Sequence, residues 1–301
     1  MGGFGEMSAI LVLPAHLQEH RLFVEFSKFL DENQDLPDSV EIDFGAVQFI
    51  RPPSVAFLSN MTHWLVSMGS TVNFSNLDVS KDPIKYLDDS LFFEQHRGAK
   101  LSPNSQCRST TMPLKQLARR DSHAWLEVEF LPWLINKSGL NKNSLAEVKS
   151  SLQELINNIS DHTDFEEGCI FGQWYPNKDQ IIVTVADFGS GIPENVAKVR
   201  PGLRDCDAII KAAEDGFSSQ SLPTNRGAGL YLLLLNIVLR FGGIVTIRSG
   251  RGYVKFANRS GNIYTMSNST CGYCIGTTID IVLNTTQIPR VEDEEEEEFE
   301  W

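Results

Sequence analysis

The chain has 301 residues, room for about two domains, and its apolar fraction of 42% is ample for packed cores. Net charge is −13, but eight of the acids lie between Glu292 and Glu300, so the body is only mildly acidic and lacks the basic character that nucleic-acid binding uses. Apolar runs are short, as at residues 230–235, so no membrane span is expected. The first residues lack the basic flank of a signal peptide, which makes the cytoplasm the expected compartment.

In chain order, residues 8–14 read as a strand, 20–30 as an amphipathic helix, and 39–44 as a half-buried strand of alternating pattern. Residues 49–54 form a turn, because Pro52 and Pro53 cannot sit inside a strand. A helix over 54–68 follows, with Ser54 as its N-cap, then a strand over 71–74 and a helix over 82–87. Such alternation predicts a mostly parallel or mixed sheet flanked by helices. The stretch VEIDFGAVQFIRPPSVAFLSNM resembles a STAS domain, the fold of anti-sigma-factor antagonists, and the resemblance defines a first domain over residues 1–97. In signalling members the turn reads Asp-Ser-x-Gly and carries a phosphorylated serine. Here Arg51 stands at the Asp, Pro52 at the serine and Ser54 at the glycine, so the resemblance implies a docking or scaffold role rather than a phosphorylation switch.

Residues 98–119 read as a linker, rich in Gly, Ser, Pro and Thr up to Pro113. Pro113 is expected to open a short helical stretch through about Gln116. Residues 122–135 form an amphipathic helix carrying Trp125, Leu126, Phe130, Trp133 and Leu134. His123 lies on it, but too few residues follow before Asn141 for the long dimeric hairpin of a histidine phosphoacceptor. Ser144 and Glu147 fit a capping box for the next helix.

That helix carries Glu154, Asn158 and His162 at i, i+4 spacing, one turn apart along one face, while Leu152, Leu155, Ile156 and Ile159 fill the other side. An acid beside a carboxamide suits a general base next to a Mg²⁺ ligand; the same spacing also describes a solvated face. Residues 169–175 and 180–186 are strands joined by the turn Pro176-Asn177-Lys178-Asp179. The second runs into Asp187-Phe188-Gly189-Ser190-Gly191, where an acid at a strand end and alternate glycines suit a nucleotide pocket. Residues 194–226 hold a short helix over 205–214. Asn225-Arg226-Gly227-Ala228-Gly229 then precedes an apolar helix over 231–239, and glycines before a helix N-terminus suit phosphate. Three strands over 243–248, 252–257 and 276–283 complete an antiparallel sheet.

The order ELINNISDH, DFGSGIP, RGAGLYLL, GTTIDIVL resembles the ATP-binding domain of the GHKL superfamily, an α/β sandwich of the Bergerat fold, here over residues 120–290. The resemblance implies that Glu154 activates water or a hydroxyl and that Asn158 holds Mg²⁺. It further implies that Asp187 binds the adenine amino group, that Gly189 and Gly191 shape the pocket, and that Thr277 supports the adenine edge. Gly227 and Gly229 would hold the phosphates, with Arg226 reaching the γ-phosphate or lying exposed in the lid formed by 194–226. The single GAGL is more similar to the anti-sigma-factor serine kinases than to most sensor kinases. ATP and Mg²⁺ are thus the implied cofactors. Slow hydrolysis switching a protein interaction, phosphotransfer to a serine of a separate STAS-type partner, and binding without turnover all remain open.

Five scattered cysteines argue against a disulfide framework. Cys271-Gly272-Tyr273-Cys274 reads as a hairpin turn with incidental thiols, or as a zinc or redox pair. Residues 291–301 form an acidic tail ending in Phe299-Glu300-Trp301, either solvated or a peptide motif for a basic groove. A protein partner through the first domain or the tail, or a homodimer, is compatible with all of this.

Overall fold

The computed structural model describes residues 7–161, 167–217 and 229–292, and its architecture is α/β. In the first half, strands β1 (Ser8–Val12), β3 (Ser39–Asp43) and β5 (Thr71–Ser75) form a parallel sheet in the order β1-β3-β5, and the short β2 (His16–Leu17) pairs in parallel with β4 (Phe49–Ile50). Parallel neighbours need long crossovers, which α1 (Glu19–Glu32) and α2 (Pro52–Ser67) supply; α3 (Asp82–Asp89) and α4 (Phe92–Arg97) follow. Leu11, Val40 and Ile42 point to a core shared with Phe44, Phe92 and Phe93, whose rings meet edge to face.

Helix α2 begins at Pro52, not at residue 54. Both prolines occupy its first turn, where a missing N–H costs nothing. Arg51 is therefore the N-cap position, and Ser54 lies inside the helix, buried, with its Oγ donating to the Leu17 carbonyl at 2.9 Å. Every residue from Pro53 to Thr62 is buried, as expected of a helix clamped between two layers.

The expected linker is only partly a connection. Residues 98–110 are strapped to α3: Asp88 accepts the Leu101 and Ser102 amides, and Asp89 accepts Ser105 Oγ and Arg108 Nε at 3.2 and 3.0 Å. The expected helix at Pro113 is instead strand β6 (Thr111–Ala118), at one edge of a five-stranded sheet. A break in register between Met112 and Lys115 accommodates Pro113 there, since a bulged edge strand tolerates a residue without a donor.

Helix α5 (Arg119–Trp125), a π-helical segment over Leu126–Phe130 and α6 (Leu131–Ser138) run on as one helix, the π turn falling just before Pro132. Helix α7 (Lys142–Asp161) is capped by Asn141, whose Oδ1 accepts the Ser144 N–H at 2.9 Å. The capping box at Ser144 and Glu147 is not formed: Ser144 Oγ accepts the Val291 amide, and Glu147 pairs with Arg240. Strands β7 (Glu167–Tyr175) and β8 (Gln180–Asp187) follow, then α8 (Gly191–Ala197), α9 (Asp205–Ala212) and α10 (Gly229–Leu233), the last continuing as a π-helical segment over Leu234–Arg240. The last three expected strands are two long ones, β9 (Ile244–Arg259) and β10 (Asn262–Asn284), turning at Ser260-Gly261. The Cys271–Cys274 stretch is thus not a turn but a bulged part of β10, with Cys271 exposed and Cys274 buried, both unbridged.

The five-stranded sheet is antiparallel throughout, in the order β6-β7-β8-β10-β9, and both its faces are covered. Ile170, Val183, Val185, Ile247, Ile279 and Ile281 face the helices of the second half. Cys169, Phe171, Ala186 and Cys274 join the core of the first half, beneath α1 and α2. The two halves therefore share one layer. At the α1 side of this seam Arg248 is buried among Asp280, its ion-pair partner, and the buried Glu19, while Asp280 also accepts Thr184 Oγ1 at 2.8 Å. No helix among the described residues is long and apolar enough to cross a membrane.

Candidate nucleotide site at the end of β8

The site grows from the register of two strands. Residues 180–187 pair with 277–284, which sets Thr277 directly opposite Asp187 at the end of the ladder. Both are buried. Beyond Asp187 the chain turns sharply: the Gly189 N–H returns to Asp187 Oδ1 at 2.8 Å, and α8 begins at Gly191 with φ +77°. A Cβ on Gly191 would lie 2.6 Å from Ser249 Oγ and 2.8 Å from the Gly276 carbonyl. Gly276, at φ +64°, is tighter still, since its Cβ would stand 2.1 Å from the Asp187 carbonyl oxygen and 2.6 Å from Oδ1. Only glycine meets both the left-handed backbone and the close approach at these two positions.

Ser249 ties the elements together. It is fully buried within β9, opposite Thr277, accepts the Ile192 N–H at 2.9 Å and donates to the Gly276 carbonyl at 2.6 Å, with Thr277 Oγ1 at 3.2 Å. One hydroxyl thus joins α8, β9 and β10 beside Asp187.

Burial pushes the Asp187 carboxyl up to about 7, against the backbone N–H groups of Gly189 and Thr277, which favour the ionised form. A carboxyl poised near neutrality in a buried, glycine-shaped corner is the kind of group that functional sites hold. It fits an amine donor such as the adenine exocyclic group, and the Thr277 hydroxyl beside it offers a further polar contact.

The remaining expected residues are placed less closely. Glu154 lies on the exposed line of α7 that also carries Ala146 and Ser150, while Leu152, Leu155 and Ile156 are buried as expected. Among the described residues no hydrogen bond joins Glu154 to Asp187. Asn158 is in α7, one turn beyond Glu154. Gly229 is buried as the first residue of α10, which packs against α7, and Asn236 Nδ2 donates to Ser151 Oγ at 3.1 Å just beyond it. His162, Arg226 and Gly227 lie outside the described residues. The structure therefore brings Asp187, Gly189, Gly191 and Thr277 together in one corner, and sets Glu154 and Gly229 on two helices that pack against each other.

Two members of the corner have no role in the motif reading. Gly276 was visible as the glycine before Thr277. Ser249 carries no sequence signal, since a serine after a strand is commonplace. Cys274 and Cys169 are not reactive candidates, because burial pushes both thiols up to about 12, and no cluster of three or more metal-ligating side chains occurs among the described residues. No protein-family model matches the chain, and no curated protein matches it.

Proposed function

We propose that the chain is a Mg-ATP-binding regulatory protein of the GHKL kind, in which slow hydrolysis changes the contacts of the second half with a partner. One observation carries the reading: the buried Asp187 carboxyl stands opposite Thr277 in strand register, walled by two glycines that leave no room for a Cβ. Asp187 accepts from the adenine amine and Thr277 borders the ring. Gly229, at the start of α10, lies on the phosphate side. Asn158 would hold Mg²⁺, which would screen the phosphate charge. Glu154, on the open face of α7, orients and deprotonates the attacking water.

A second reading, transfer of phosphate to a serine, takes its acceptor from a separate protein. Within the chain the STAS-like turn offers none, because Pro52 stands at the acceptor position and Ser54 is buried against the Leu17 carbonyl.

Calorimetry with Mg-ATP and Mg-GTP tests the binding step. Guanine presents a carbonyl where adenine presents its amine, so ATP should bind and GTP should not, and Asp187→Ala should abolish binding. Equal affinity for the two nucleotides would sink the assignment. The fate of γ-labelled ATP separates the chemistries: free phosphate for hydrolysis, labelled partner for the kinase, neither for a binding module. Glu154→Ala should retain affinity within a few fold while turnover falls by about 10²–10⁴-fold.

A further inference from the structure

The first half of the chain reaches the nucleotide corner from behind. Along one face of α2, residues at 56, 60 and 63 engage three strands of the shared sheet in turn. The Ala56 carbonyl accepts Cys169 Sγ of β7 at 3.1 Å. Asn60 Nδ2 donates to the Asp187 carbonyl of β8 at 2.7 Å. His63 shares a hydrogen bond of 2.7 Å with Gln116 of β6, and its ring lies 5.7 Å from that of Phe188. Asn60 is 3% exposed, and its Oδ1 has no hydrogen-bond partner. Phe188, the residue between Asp187 and the Gly189 turn, is buried in the core of the first half rather than in that of the second.

The Asp187 peptide is therefore held from two sides. Gly276 presses on its carbonyl from β10, with no space for a Cβ, and Asn60 fixes the same oxygen from α2. A peptide so pinned sets the direction of its own side chain, because rotation about the Asp187 backbone would break the Asn60 bond or collide with Gly276.

The geometry points to Asn60 as a positioning residue for nucleotide recognition, supplied by the STAS-like half, so that the seating of α2 and the affinity for adenine are coupled within one chain. This rests on the reading of Asp187 as the adenine acceptor. Coupling is reciprocal: whatever α2 contributes to nucleotide affinity, bound nucleotide returns as stability of the α2 seat. A partner that pulled the first half from the sheet would thereby release nucleotide, and saturating nucleotide would oppose that partner.

Two measurements test it. Asn60→Ala should weaken Mg-ATP binding on the order of 10-fold and narrow the preference for ATP over GTP. Ser59→Ala, at the adjacent position, loses the 2.8 Å contact of Ser59 with His96 and disturbs the same helix, yet should leave both affinity and preference unchanged. The second measurement uses the unaltered chain, so it holds even if Asn60→Ala folds poorly. Amide hydrogen exchange over residues 52–67 should slow on adding saturating Mg-ATP and stay unchanged with Mg-GTP. Protection at β8 and α8 alone, with α2 indifferent to ATP, would overturn the coupling and leave ATP binding standing. Equal losses in the Ser59 and Asn60 variants would likewise reduce Asn60 to a packing role. No binding heat and no protection anywhere would instead remove the ATP reading itself.

Discussion

Asp187 carries a stability cost that its two backbone amide partners relieve only in part. Its carboxyl is raised from 3.8 to about 7 by burial, and the two backbone amides that favour its charge do not offset this. The sign follows from proton linkage. Between pH 3.8 and about 7 the folded state keeps a proton that the unfolded chain has already released, so the contribution is intact below pH 3.8 and is lost as pH rises through about 7. The gap corresponds to about 4 kcal/mol as a ceiling. Asp187→Asn keeps an oxygen for the Gly189 N–H and cannot ionise. The variant should match the parent near pH 4 and exceed it at about pH 8 by up to about 4 kcal/mol, measured as the difference in urea unfolding free energy at each pH. Other titrating groups, Glu19 among them, cancel in that difference. The same variant should bind ATP far more weakly, and parent affinity for ATP should fall as the pH drops below about 7, when the acceptor becomes protonated. A variant less stable than the parent at about pH 8, or a difference that does not change with pH, would show that burial does not hold the Asp187 carboxyl protonated.

Gly276→Ala should cost at least about 1–2 kcal/mol for its left-handed backbone alone and should abolish ATP binding as the Asp187 carbonyl shifts; unchanged affinity would contradict the close approach. Arg248→Met should destabilise by about 3–5 kcal/mol in thermal or urea unfolding, because it strands Asp280 and Glu19 as buried, uncompensated carboxylates. Phe57→Ala, in the first half, should cost about 3–5 kcal/mol and lower a single transition seen alike by far-UV circular dichroism and by fluorescence. Separate transitions would mean that the shared sheet does not couple the halves.

Much of the fold was legible because period and punctuation agreed. The alternation in SVEIDF, the apolar stripe of residues 20–30 and the turn Pro176-Asn177-Lys178-Asp179 each specify their element locally. Three departures have a common cause, a local signal overridden by a neighbour. Pro113 opens helices well, but the open edge beside β7 took residues 111–118 as a strand, with a break in register that accommodates the proline. Ser144 suits an N-cap, but Asn141 lies one turn closer to the start, and Ser144 is engaged by Val291. Residues 98–110 have a linker's composition, yet Asp88 and Asp89, adjacent on α3, offer four carboxylate oxygens that order them.

The candidate site was legible to a different degree at each residue, and the reason is geometric. Asp187 and Thr277 announce themselves because each stands at the end of an apolar strand, so their pairing follows from register once the two strands are neighbours. Asn60 could not be found this way. It lies 127 positions from Asp187, within a helix whose mostly apolar stretch from Val55 to Leu65 gives Asn60 no distinguishing mark. What distinguishes it is that α2 is buried on every side from Pro53 to Thr62, and burial on every side requires a second layer. The composition of α2 thus implied a cover that the first domain alone does not supply. The strands at 169–175 and 180–186 implied the same by being apolar at successive positions, including Ile181, Ile182 and Val183, where a sheet with one wet face would alternate. Each half contained one surface too apolar to stand alone, and those two surfaces are the seam.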